Sequence, residues 1–71
     1  MTPSQKTRFQ KISQDMADLL DELHQGAHPD TVLFLEDGTP ALYDWPADAP
    51  RRPDNPLVEG AYWHKSGGGG L

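Results

Sequence analysis

The stretch Thr31-Val-Leu-Phe-Leu-Glu-Asp-Gly-Thr-Pro-Ala-Leu-Tyr-Asp-Trp45 reads as a β-hairpin with two apolar faces. Asp37-Gly38 is a favoured two-residue turn, and pairing about it sets Phe34 opposite Ala41 and Val32 opposite Tyr43. Side chains alternate along a strand, so Leu33 opposite Leu42, with Leu35 near Pro40, falls on the other side. Pro40 cannot donate a ladder hydrogen bond and is expected at a strand start, an edge or an irregularity. Two apolar faces need two covers. The candidates for the second are the C-terminal segment, a second copy of the chain, or a larger partner.

The first cover lies upstream. Thr2, Pro3 and Gln5 have the spacing of an N-cap, a first-turn proline and a capping-box partner, with Ser4 as a competing cap. Beyond them Phe9, Ile12, Met16, Leu19, Leu20 and Leu23 recur at three and four, a stripe about 100° wide on a helix. Gly26 is expected to supply a left-handed stop, and Pro29 blocks continuation. The pattern predicts a helix over about 3–25, its stripe assigned to the core, and a hairpin over about 31–45.

Downstream, Pro46, Pro50, Pro53 and Pro56 mark 46–56 as an extended, polyproline-like loop. Leu57, Val58, Ala61, Tyr62, Trp63 and His64 then read as a further C-terminal strand over about 57–64. Gly60 within it signals a bulge or a close backbone approach. Gly67 to Gly70, with Leu71, carry almost nothing to pack, so 66–71 reads as a disordered tail. The expected architecture is a single α+β domain over 1–65: one amphipathic helix on a small antiparallel sheet.

The chain has 71 residues, no cysteine and a formal net charge of −5. Packing and hydrogen bonds alone must stabilise so small a core, and thiolate metal sites, disulfides and cysteine nucleophiles are excluded. The acidic balance disfavours direct contact with nucleic-acid phosphates, which requires clustered Lys and Arg. The start of the chain lacks the apolar run of a signal peptide and no segment has the length of a membrane span, so a cytoplasmic location without membrane contact is expected.

Catalytic chemistry is thin. Ser4, Ser13 and Ser66 do not lie on a strained nucleophile turn, and no glycine-rich loop precedes a helix. The expectation is a protein that is not an enzyme and needs no cofactor. His24 and His28 have a helical metal-ligand spacing, with His64 a distant third, but Gly26 and Pro29 interrupt the helix between them. A small metal-binding protein using His24 and His28 is a minor alternative.

Recognition is better represented. Trp45, Tyr43, Tyr62 and Trp63 are of the types that dominate interface hot spots, and Arg51 and Arg52 stand between them. One of the two tryptophans is expected to complete the core and the other to meet a partner. On the helix, Lys6, Arg8 and Lys11 crowd the start while Asp15, Asp18, Asp21 and Glu22 crowd the end. That order opposes the macrodipole, and Asp15, Asp18 and Glu22 form an acidic ridge beside the stripe. The resulting expectation is a small acidic regulator that binds stoichiometrically to a larger protein or complex with a basic surface. Its most concrete form is a phage- or mobile-element-type inhibitor or modulator of a host nucleic-acid enzyme such as RNA polymerase or a CRISPR effector. The alternative is a homodimeric structural or accessory subunit in which sheet faces or edges pair.

Overall fold

The computed structural model describes residues 1–64. Residue 65 and the expected tail over 66–71 lie outside the described residues. Helix α1 spans Pro3–Gln25 and is followed by strands β1 (Thr31–Glu36), β2 (Thr39–Asp44) and β3 (Val58–Glu59). The strands form one antiparallel sheet in the order β1-β2-β3, with α1 packed against it. The fold is α+β.

The hairpin has the register that its turn predicts. Val32 pairs with Tyr43, Leu33 with Leu42, Phe34 with Ala41 and Leu35 with Pro40. Asp37 and Gly38 both adopt positive φ, 52° and 80°, as a hairpin turn that follows the twist of its strands requires. Pro40 lies in the middle strand of three rather than on an edge. Its missing donor would face β3, and its carbonyl accepts the Gly60 N–H at 2.8 Å, so one bond of that pair is made and the other is absent.

Gly60 marks a close approach. A Cβ there would meet the Pro40 ring at 3.0 Å, and the strand pairing ends one residue earlier. The third strand is therefore two residues long, not the 57–64 expected, although the Trp63 N–H still donates to the Gly38 carbonyl. Gly60→Ala is expected to lower stability by about 1–3 kcal/mol through crowding against Pro40. An unchanged thermal melting curve would refute the close-approach reading.

The helix begins as its capping residues predict. Thr2 Oγ1 accepts the Gln5 N–H at 3.1 Å, and Gln5 Oε1 accepts the Thr2 N–H at 2.8 Å. Its end differs from expectation, because Gly26 has φ −108° and ψ −132° rather than a left-handed conformation. The chain turns back, and the Gly26 and His28 N–H groups both donate to the Leu23 carbonyl, each at 3.2 Å. Glycine serves here through proximity: a Cβ would lie 3.2 Å from the Glu22 carbonyl oxygen. Past the turn, His24 Nε2–H donates to the Thr31 carbonyl at 2.7 Å and the Thr31 hydroxyl donates to the His28 carbonyl at 2.8 Å. These bonds tie the helix end to β1.

The assignment of the whole stripe to the core is corrected by the structure. No residue of α1 is buried. Met16, Leu20 and Leu23 are half-buried, whereas Phe9 and Ile12 are 68% and 56% exposed. Length explains this. The helix has 23 residues and is roughly 34 Å long, while a six-residue strand reaches only roughly 20 Å. The sheet underlies the C-terminal part of the helix, and the N-terminal part projects beyond it.

Among the described residues the buried apolar side chains are Leu35, Pro40, Ala41, Leu42 and Tyr43, so the core is centred on β2. One sheet face, carrying Leu33, Pro40 and Leu42, looks toward α1. The opposite face carries Val32, Phe34, Ala41 and Tyr43 and is covered in part from within the chain: Ala41 and Tyr43 are buried, whereas Val32 and Phe34 are half-buried. Arg52 lies over the Phe34 and Tyr43 rings at 5.1 and 5.0 Å from their centroids and forms an ion pair with Glu36. Trp45 packs on Phe34 with centroids 6.1 Å apart. The proline-rich segment thus covers part of the second face. It also turns locally, with the Ala49 N–H donating to the Pro46 carbonyl at 3.0 Å.

Candidate functional site

The candidate contact residues separate into three places. Tyr43 is 7% exposed and meets Phe34 edge-on, so it belongs to the core. Trp45 is half-buried against Phe34, and its backbone N–H donates to the Asp30 carbonyl at 3.0 Å. Arg52 is committed to the two rings and to Glu36, while Arg51 is exposed. These four complete the sheet's second face or border it.

The second place is the C-terminal segment. Tyr62 and Trp63 are 58% and 42% exposed, and Tyr62 meets His64 edge-on with centroids 4.7 Å apart. Leu57 and Val58 beside them are also exposed. The backbone there is held independently of those side chains: Leu57 N–H donates to the Leu42 carbonyl at 2.7 Å, and Gly60 and Trp63 donate to Pro40 and Gly38. Aromatic groups are thereby presented on an anchored strand edge.

The third place is the acidic ridge on α1. Asp15, Asp18 and Glu22 are all exposed. Asp15 pairs with Lys11 at 3.3 Å, and Asp18 accepts from the Gln14 side chain at 2.9 Å. Being solvated, these contacts contribute little to stability. The ridge leaves most of its charge facing water.

Between α1 and the sheet lies a groove that sequence reasoning missed. Leu33, Pro40 and Leu42 form its floor, with Met16 and Leu19 on the helix side and Val58 on β3. Its volume is about 160 Å³. Asp15 and Glu22 stand four and three positions from Leu19, beside the helix wall of the groove. An apolar floor with an acidic rim on the helix side results. The available signal was the mismatch between helix and strand lengths.

His24 and His28 face different surroundings. His24 uses Nε2 to bond Thr31, and His28 Nδ1 is buried without a hydrogen-bond partner. Among the described residues no group of three potential ligands comes together, and no described helix is long and apolar enough to cross a membrane. Comparison of the chain with protein families, curated proteins and solved structures gives no match. The functional reading therefore rests on the chain's own residues.

Proposed function

We propose that this protein is a non-enzymatic binding module that acts stoichiometrically on a larger protein through its C-terminal aromatic edge. The exposure of Tyr62 and Trp63 on a hydrogen-bonded backbone supports this most directly. Rigid aromatic side chains contribute large contact area at small entropic cost, and truncating such an anchor typically costs 2 kcal/mol or more, about 30-fold in affinity. The net charge of −5 favours a partner whose surface is basic. Enzymes that handle nucleic acid have such surfaces, which makes inhibition of a host polymerase or CRISPR effector the narrower form of the proposal, by analogy of charge alone.

The test is capture of binding partners from host lysate by wild type and by the Tyr62→Ala/Trp63→Ala variant. The variant is expected to melt near the wild-type temperature, since neither side chain is buried, and to lose the captured species. Retention of every captured species by the folded variant would remove the aromatic edge from the account. Unfolding of the variant would show instead that the two rings are structural.

A further inference from the structure

We infer that the projecting N-terminal part of α1 is a docking element for a second copy of the same chain. In the resulting two-fold dimer, Phe9 and Ile12 of each copy enter the other's groove between α1 and the sheet.

Shape and chemistry both support this occupant. The overhang presents Phe9 and Ile12 to water, 68% and 56% exposed, on a helix whose start is fixed by a complete capping box. The groove offers Met16, Leu19 and Val58 around Leu42, and its volume of about 160 Å³ matches that of apolar cavities known to take up a benzene-sized ring. Opposing the copies antiparallel places Phe9 against Leu19 and Ile12 against Met16, so all four stripe positions are used twice. A self-complementary patch of this kind closes as a dimer instead of propagating.

Charge supplies the independent argument. Lys6 stands three positions before Phe9, and Arg8 four before Ile12, so the overhang's apolar side chains have basic neighbours. The groove's rim on the helix side carries the acids Asp15 and Glu22. Neither Lys6 nor Arg8 has an ion-pair partner among the described residues. Along a single helix the order base-first, acid-last is unfavourable to the macrodipole. Across an antiparallel pair it sets each basic end against an acidic one.

The order of charges also makes a decisive test possible. Lys6→Glu/Arg8→Glu and Asp15→Lys/Glu22→Lys each bring the helix into better accord with its dipole, so both variants are expected to stay helical by circular dichroism. In sedimentation velocity, wild type is expected to dimerise at high micromolar concentration, more weakly as salt rises. Each reversed variant alone is expected to dissociate at least about 10-fold more readily at low salt, and the two mixed are expected to form a heterodimer. Phe9→Asp, at a position exposed in the monomer, is expected to be folded and monomeric. A wild type that stays monomeric, a dimer that survives Phe9→Asp, or a mixture that fails to restore association would each overturn the inference. None of these outcomes depends on the aromatic edge that serves the larger partner.

Discussion

Leu42→Ala is expected to leave the domain largely unfolded at physiological temperature. Leu42 is 7% exposed in the central strand, paired with Leu33 on one side and Val58 on the other, and its carbonyl accepts the Leu57 N–H. Truncating a buried leucine costs about 2–5 kcal/mol, through lost transfer energy and an unfilled cavity. A core in a chain this short rarely contributes more than about 3–5 kcal/mol of net stability. The loss is therefore comparable with the whole margin, and the melting temperature should fall by roughly 10–30 °C. The informative control is Phe9→Ala, measured dilute enough to keep the chain monomeric. Phe9 is the larger side chain and belongs to the more regular pattern, yet it lies in water, so its removal should change stability by no more than about 0.5 kcal/mol. Equal destabilisation by the two substitutions would mean that the helix stripe, and not β2, organises the core.

That contrast marks where local pattern stopped informing the fold. The hairpin register was legible because Asp37-Gly38 admits few turn geometries and each one fixes every pair downstream. The helix start was legible because Thr2, Pro3 and Gln5 act within one turn of each other. Periodicity, by contrast, reports which side of a helix is apolar and not how far the surface beneath it extends, so Phe9 and Ile12 looked like Leu20 and Leu23. The short third strand has a similar cause. Gly60 was recognisable as a close approach, but the group approached, the Pro40 ring, is twenty residues away in sequence. Of the candidate contact residues, Tyr62, Trp63, Arg51, Asp15, Asp18 and Glu22 are exposed, whereas Tyr43 is buried and Arg52 half-buried over the sheet, because the destination of a proline-rich loop is not encoded in its composition.

Arg52→Ala is expected to lower stability by about 1–3 kcal/mol, and the components of that loss are separable. The guanidinium lies within 5.1 Å of the Phe34 and Tyr43 ring centroids, and each such contact contributes about 0.5–1 kcal/mol when partly exposed. Its ion pair with Glu36 is solvated on both sides and adds at most about 1 kcal/mol. The aliphatic stem adds apolar cover over the rings. Glu36→Gln, which removes only the ion pair, should therefore cost less than half as much as Arg52→Ala. Arg52→Lys keeps the charge but loses the planar stacking, and Arg52→Met keeps the cover but loses the charge, so both should fall between wild type and alanine in urea denaturation. Binding of a hydrophobic dye should rise for alanine alone, because only that variant opens the rings to water. Were Arg52→Ala neutral, the second sheet face would not be shielded by this loop. The question raised by a hairpin with two apolar faces and one helix would then have to be answered by a partner instead of by the chain itself.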